Sequence, residues 1–269
     1  MTDSAAAKQI TGKTKIMFIL GDPVAHIRGT ALFNEHFSRI GLDAAASPLH
    51  VAPADLGTIV GAIRKMRNVA GFGVTLPHKI EVLRHLDATT ERAAQVGAVN
   101  FVRRAADGGL TGDNVDGVGF VAGLARNGIA VQGQRVLQIG AGGAGRAIAF
   151  ALAEAGASDL HIANRSLEKA RLLAEAVQAA FPRCRCAAGP ADAARADLVV
   201  NTTSVGMHEG DPLPVDIARL PASVVVADVI MAPETTPLLE QAMRQGCRIV
   251  RGKEMMMDQL RLVTAFFAI

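Results

Sequence analysis

Residues 140–145 read Gly-Ala-Gly-Gly-Ala-Gly and follow directly on Arg135-Val-Leu-Gln-Ile139, a short apolar run. No other feature constrains the fold as strongly. The spacing is G-x-G-x-x-G at a strand-to-helix junction. There a backbone without side chains can approach a pyrophosphate, and a helix N-terminus can face its charge. The motif lies near the middle of a 269-residue chain. A dinucleotide-binding half that begins near residue 130 leaves the first half for a substrate domain, in keeping with about one domain per 150 residues.

The flanking pattern supplies the context that a lone G-x-G-x-x-G lacks. Strand signals at Val136–Ile139, Leu160–Ala163, Leu198–Asn201, Val224–Asp228 and Arg248–Arg251 alternate with helix signals at Ala144–Ala155, Leu167–Ala180 and Pro237–Gln245. A last helix is expected from Met255 to Phe267. Such alternation predicts a doubly wound parallel sheet. The first half also alternates. Strands are expected at Ile16–Leu20, Ala44–Val51 and Val69–Leu76, and helices at Thr30–Ile40, Pro53–Met66, Ile80–Leu86 and Thr90–Val96. Val99–Arg103 and Gly109–Thr111 form a hairpin around Asp107-Gly108-Gly109, and Asn114–Gly128 bridges the halves. The expected fold class is α/β: an N-terminal α/β substrate domain, residues 1–115, joined by the C-terminal helix 255–269, and a Rossmann domain, residues 116–254.

Composition removes several functional classes. Ten Phe with no Tyr or Trp argue against an aromatic platform for bases, and a net charge of +3 without a dense basic cluster argues against a polyphosphate track. The expected partner is a small molecule, with neither nucleic acid nor membrane, in a monomer or homodimer. Cys184, Cys186 and Cys247 make no disulfide framework, and no His or Cys cluster has metal-ligand spacing, so reduced thiols and no metal are expected. The N-terminus lacks an apolar leader segment and no apolar run approaches the roughly 20 residues of a membrane span, which fits a cytoplasmic protein.

The end of the second Rossmann strand bears on the cofactor. An Asp or Glu there accepts from the ribose 2′-hydroxyl of NAD. This chain has Ala163-Asn164-Arg165-Ser166, with Lys169 a turn later. Two cations and two neutral donors favour a 2′-phosphate, hence NADP over NAD, although Glu168 is discordant.

Oxidation of an alcohol needs a group that takes the hydroxyl proton and a partner that positions it. Candidates lie in Gly73-Val-Thr-Leu-Pro-His-Lys79 and in Gly112-Asp-Asn-Val-Asp116-Gly-Val-Gly119. Taken singly, Lys79 reads as a solvated lysine after a proline and Asp116 as a helix N-cap. His26 and His78 read as helix-start or loop packing, and Met256 and Met257 as core.

In order along the chain, Gly21-Asp-Pro-Val-Ala-His26, Val74-Thr-x-Pro-x-Lys79, Gly97-Ala-Val-Asn100, Gly112-Asp-Asn-x-Asp-Gly-Val-Gly119, Gly140-Ala-Gly-Gly-Ala144, Asn164-Arg165-Ser166, Asn201-Thr-Thr-Ser-x-Gly-Met207, Thr236-Pro-Leu-Leu239 and Gln259 resemble the shikimate/quinate dehydrogenase family. The resemblance implies NAD(P)-dependent interconversion of a shikimate- or quinate-like cyclic polyol and its 3-dehydro ketone. It implies that Lys79 and Asp116 form a catalytic dyad and that Thr75, Asn100 and Gln259 bind ring hydroxyls. It also implies a cofactor site from Gly140, Ala141, Gly142, Gly143 and Ala144, from Asn164, Arg165, Ser166 and Lys169, and from Thr203, Val229, Gly252 and Met255.

The chain departs from the family at one end of the substrate. The family's His-Ser-x-Ser-Pro, whose hydroxyls bind the substrate carboxylate, here reads His26-Ile27-Arg28-Gly29-Thr30. A Tyr of the same region is Met231, the Asn before Val-Thr is Gly73, the Thr before the catalytic Asp is Val115, and the late Gly-x-Gly is Gly252-Lys253-Glu254. A carboxylate without donors is costly, so the expectation is that shikimate is a poor substrate or is held by another anchor, Arg28 being the natural one. Two alternatives stand beside the main reading: the same chemistry on a substrate with an altered or absent carboxylate, and a non-catalytic nucleotide and metabolite sensor.

Overall fold

Val69–Val74 (β3) is a continuous run of apolar residues and glycines and is buried along its whole length, as expected of a strand covered on both faces. Around it the computed structural model, which describes residues 9–25 and 27–269, builds the sheet of the first of two compact units. This unit takes in the chain up to Ala93, Val99–Asp113 and Leu262–Ile269.

Its six strands are Lys15–Gly21 (β1), Ala44–His50 (β2), β3, Ala88–Thr89 (β4), Phe101–Arg104 (β5) and Leu110–Asp113 (β6). They lie in the order β2-β1-β3-β5-β6-β4. β1 pairs in parallel with β2 and β3, β5 and β6 form an antiparallel hairpin, and β4 lies parallel to β6. The helices are Gly29–Arg39 (α1), Leu56–Ile63 (α2) and the start of Glu91–Val96 (α3), whose last three residues belong to the second unit. Leu20, Val60, Phe72, Val102 and Leu110 anchor the core. The β3 glycines make room for neighbours. A Cβ on Gly71 would lie 2.3 Å from the Val102 carbonyl oxygen, and one on Gly73 would lie 3.0 Å from the Phe101 ring.

The second unit takes in Ala94–Ala98 and Asn114–Arg261. Its strands, Arg135–Ile139 (β7), Asp159–Ala163 (β8), Arg185–Ala188 (β9), Leu198–Asn201 (β10), Val225–Asp228 (β11) and Arg248–Val250 (β12), are all parallel, in the order β12-β11-β10-β7-β8-β9. Counted from β7, this is the dinucleotide-binding order, which reverses between β7 and β10. Asp116–Arg126 (α4), Gly143–Glu154 (α5), Leu167–Ala180 (α6), Pro237–Arg244 (α7) and Lys253–Phe267 (α8) are its helices, α8 ending among the residues of the first unit.

The structure differs from the sequence expectation in a few places. Contacts divide the chain after Asp113, with Ala94–Ala98 in the second unit, and assign only Leu262–Ile269 of the last helix to the first. The helix expected over Pro53–Met66 is a 3-10 turn at Pro53–Asp55 followed by the shorter α2. It closes where the Arg64 guanidinium binds the His85 carbonyl oxygen at 2.8 Å and Asp87 at 2.5 Å. Ile80–Leu86 is a 3-10 segment at Glu81–His85, and α8 starts two residues early, at Lys253. The edge strands β4 and β9 are additional to the expected set. Among the described residues no helix is long and apolar enough to cross a membrane.

Candidate active-site residues

The glycine loop follows β7, and its three motif glycines serve different ends. Gly140 has φ +111°, in the region that favours glycine, and a Cβ there would lie 2.4 Å from Thr202 Oγ1. Gly145 brings α5 against the sheet, since its Cβ would lie 2.6 Å from the Gly140 carbonyl oxygen. Gly142 is the N-cap of α5 with ordinary extended backbone, φ −81°, and a Cβ on it would meet nothing within 4 Å. That cradle is open on the side where a pyrophosphate has to come. With no side chain at the N-cap, the first amides of α5, including those of Gly143 and Ala144, are left to an anion. A dinucleotide therefore fits this loop.

The turn after β8 is tied to the loop. Asn164 Oδ1 accepts from the Ala141 amide at 3.2 Å, and its Nδ2 donates to the Ser166 carbonyl oxygen at 2.9 Å. Ser166 is the N-cap of α6, its Oγ accepting from the Lys169 amide at 3.4 Å, which leaves its hydroxyl proton for a ligand. Arg165 and Lys169 are exposed, and among the described residues neither is in an ion pair, with Glu168 or otherwise. Two uncommitted cations beside the loop suit a 2′-phosphate.

Past β10, Thr203 is half-buried, its Oγ1 donating to Asn201 Oδ1 at 2.7 Å. Val229 and Met231, just past β11, are half-buried as well. Gly252 packs its backbone on that turn, since a Cβ would lie 2.6 Å from the Val229 carbonyl oxygen. Met255 is core, with Val229 packed against the same cluster. Met256 is buried, whereas Met257, expected in the core, is 47% exposed because it lies on the outer face of α8.

Asp116 opens α4 without capping it. Val115 is the N-cap, and no side chain caps the helix. The Asp116 carboxylate, 2% exposed, instead accepts from Gln259 Nε2 at 3.3 Å, a meeting of residues 143 positions apart. The motif around Asp116 builds this geometry. Asn114 Oδ1 accepts from the Asp116 amide at 3.0 Å, and its Nδ2 donates to the Ala98 carbonyl oxygen. Gly117 lets α5 cross closely, with a Cβ there 2.2 Å from the Ala147 carbonyl oxygen. Gly119 does the same for α8, with a Cβ 2.6 Å from the Met255 carbonyl oxygen and 2.8 Å from Gln259 Cγ.

The remaining candidates lie in the first unit. Thr75 follows β3, with its amide donating to the Leu20 carbonyl oxygen at 2.8 Å. Lys79, half-buried, follows in the next turn, and its carbonyl oxygen accepts from the Val99 amide at 2.7 Å. That bond sets the adjoining Asn100, 3% exposed, whose amide donates to the Asp113 carbonyl oxygen and whose carbonyl oxygen accepts from the Val74 amide. Thr75, Lys79 and Asn100 are thus one hydrogen-bonded neighbourhood. Ile27 joins it, because Gly21, bare of Cβ, faces both Thr75 and Ile27 Cδ1. Arg28 is exposed at the N-cap of α1, and Gly29 is buried as its first residue. His26 lies outside the described residues. His78 is a packing residue, buried with Nε2 at 2.8 Å from the Val51 carbonyl oxygen.

Two residues of interest escaped the sequence reading. Asp228 is a buried carboxylate at the carboxyl end of β11, and Arg146, in α5, places its Nε 2.7 Å from the Val96 carbonyl oxygen. A charged residue at the end of a wholly apolar strand was the available signal for the first. No group of three or more metal-ligating side chains occurs among the described residues, and the cysteines are free.

Comparison with known proteins agrees with this arrangement. A family model described as shikimate dehydrogenase substrate binding domain matches residues 19–102, and one described as shikimate / quinate 5-dehydrogenase matches residues 123–208. A shikimate dehydrogenase (NADP(+)) of Geobacter metallireducens is 42% identical over 93% of this chain and 90% of its own. The shikimate 5-dehydrogenase of Thermus thermophilus, solved in complex with NADP(H) and shikimate, is 32% identical, with a TM-score of 0.85 over 94% of this chain and 93% of its own. The ligand-free 5-ketofructose reductase of a Gluconobacter species is 33% identical, with a TM-score of 0.84 over 96% of this chain and 94% of its own. With both halves matched in order and a Rossmann unit that fits NADP, the chain belongs to the shikimate dehydrogenase family of NAD(P)-dependent oxidoreductases that act on CH–OH groups.

Proposed function

We propose that the chain interconverts one secondary hydroxyl of a shikimate- or quinate-like polyol and the corresponding ketone, with NADP preferred over NAD and with Lys79 and Asp116 as the proton-handling dyad. The observation that carries the reading is the buried Asp116–Gln259 pair at the start of α4. A carboxylate held beside an amide, with no side chain capping the helix, suits the binding of a substrate hydroxyl.

The roles follow from the chemistry of each group. Lys79 takes the hydroxyl proton as the alcohol is oxidised and returns it on reduction. Asp116 accepts a hydrogen bond from the same hydroxyl and so positions it for that transfer. Asn100, Thr75 and Gln259 bind the neighbouring hydroxyls and so select which carbon reacts. When bound, the nicotinamide supplies the hydride acceptor. Arg165 and Lys169 favour the 2′-phosphate, and Gly142 leaves the space that the pyrophosphate needs.

A second reading, in which the polyol carries no carboxylate, is favoured by Ile27, Gly29 and Met231. Three hydroxyl donors of the family are absent together, and Ile27 brings an apolar side chain to the Gly21–Thr75 corner. The Gluconobacter relative, named for 5-ketofructose, is in keeping with a substrate of this kind. Arg28 is the anchor if a carboxylate is present.

The test is a steady-state screen of shikimate, quinate, carboxylate-free cyclic polyols and 5-ketofructose with NADP(H) and NAD(H). Turnover of shikimate or quinate with kcat/KM above the neutral compounds supports the first reading, and the reverse order supports the second. No turnover of any of them would leave the non-catalytic sensor. If Arg28→Ala leaves the KM of a carboxylated substrate unchanged, the anchor role is wrong.

A further inference from the structure

Asp228 ends β11 with 1% of its surface exposed, and among the described residues it has no cationic partner. A buried carboxylate in that position is tolerated only when its lone pairs are filled. Three segments fill them. Asn201 Nδ2, from the residue paired with Asp228 across the sheet, donates to Oδ2 at 3.1 Å. Thr236 Oγ1, the N-cap of α7, donates to Oδ2 at 2.8 Å. The Ile230 amide donates to Oδ1 at 3.0 Å.

These bonds have a direction that a neutral amide at position 228 cannot reproduce. A carboxylate only accepts, so together with the Val205 carbonyl oxygen, to which Asn201 Nδ2 also donates at 3.1 Å, it holds the NH2 side of the Asn201 amide toward itself. The Asn201 carbonyl oxygen then faces the other way, where it accepts from the Thr203 amide at 3.1 Å and from Thr203 Oγ1 at 2.7 Å. Thr203 Oγ1 in turn accepts from the Val205 amide at 3.1 Å. The Ile230 bond holds the Val229–Ile230 backbone, on which Gly252 packs.

We propose that Asp228 is a positioning residue for the nicotinamide end of the cofactor. Through Asn201 it sets the Thr203 turn, and through Ile230 and Thr236 it sets the turn that carries Val229. The inference rests on the reading above that Thr203, Val229 and Gly252 belong to the cofactor site, and it assigns them to that end. Asp228 itself is buried and engaged by protein groups.

The test compares two ligands by titration calorimetry. NADP+ spans both ends of the site, while adenosine 2′,5′-bisphosphate carries the adenosine and 2′-phosphate without the nicotinamide. In Asp228→Asn at least one of the donors from Asn201, Thr236 and Ile230 faces an NH2 group in place of an oxygen. NADP+ affinity is expected to fall about tenfold or more while bisphosphate affinity stays within about twofold, the scale set by one buried donor losing its acceptor. Equal loss for both ligands would mean that Asp228 only holds the domain together and would overturn the proposal. Unchanged affinity for both would also overturn it. If Asp228→Asn does not fold, Asn201→Ser keeps the carboxylate and cuts the link to Thr203. The same ligand contrast is then expected, and its absence overturns the proposal. Wild-type protein that binds NADP+ no more tightly than the bisphosphate would instead overturn the nicotinamide-end reading and this inference with it.

Discussion

Substituting alanine at Gly142 and at Gly140 separates what the loop does for a ligand from what it does for the fold. At Gly142 the backbone is extended and the new methyl meets nothing within 4 Å. The stability cost is that of a poorer N-cap, about 1 kcal/mol or less. The methyl does occupy the approach of the pyrophosphate. If it displaces two charge-assisted hydrogen bonds, each worth about 1.5–3 kcal/mol, NADP+ binding weakens at least about 100-fold. At Gly140 the methyl would lie 2.4 Å from Thr202 Oγ1 and 3.0 Å from Thr203 Cγ2, on a backbone at φ +111°. Thr202 Oγ1 already donates to the Ile139 carbonyl oxygen at 2.8 Å, so moving it breaks a buried bond. Backbone strain, overpacking and that bond together cost about 3–6 kcal/mol. That is a large share of a typical stability of about 5–15 kcal/mol and lowers Tm by on the order of 10 °C. Urea unfolding and NADP+ calorimetry on both variants provide the assay. A Gly142→Ala protein that binds NADP+ within about threefold of wild type would refute the pyrophosphate path, a difference well under 1 kcal/mol. A Gly140→Ala protein as stable as Gly142→Ala would refute the packing argument.

Three further outcomes are expected. Lys79→Ala should lower kcat by about 10²–10⁴ with NADP+ affinity unchanged, and a kcat within about threefold of wild type would remove Lys79 from proton transfer. Arg165→Ala with Lys169→Ala should weaken NADP+ by about tenfold or more while leaving NAD+ within about twofold; equal weakening of both cofactors would place the two cations elsewhere on the ligand. Burial pushes the Asp228 carboxyl from its ordinary 3.8 up to about 6, against the pull of hydrogen bonds from Ile230, Asn201 and Thr236. The folded state therefore keeps that proton to higher pH than the unfolded chain, and stability falls as pH rises from about 4 through 6, by about 3 kcal/mol from this group. Asp228→Asn should lack this slope in urea unfolding across that range, and identical slopes would show that the group does not titrate there.

Elements with strong local signals were legible in the chain. α6 and β10 fall at the expected residues, because Ser166 caps the first and Leu198–Asn201 is an uninterrupted buried run. β9 was not legible. Arg185-Cys-Ala-Ala188 lies at the sheet edge, half exposed, so it carries no apolar alternation, and pairing with β8 makes it a strand. The segment after Lys79 has helical spacing, yet forms only a 3-10 stretch, since Val82 is its single buried residue and little packing favours a longer helix. The glycine loop was legible as a ligand cradle, but not the division of labour among its glycines. That depends on Thr202, which approaches from the next strand at the point where the sheet order reverses.

The sequence by itself determined the two-part α/β plan, the dinucleotide loop, the family and the absence of the carboxylate-binding serines at Ile27 and Gly29. Each is a matter of residue type, order or period along the chain, and needs no knowledge of distant partners. Only the tertiary structure decided that Asp116 meets Gln259, that Asn164 braces the glycine loop, and that a buried carboxylate at Asp228 orients Asn201 and, through it, Thr203. Hydrogen bonds between residues far apart in sequence leave no periodic trace, because their geometry exists only once strands and helices have been packed side by side.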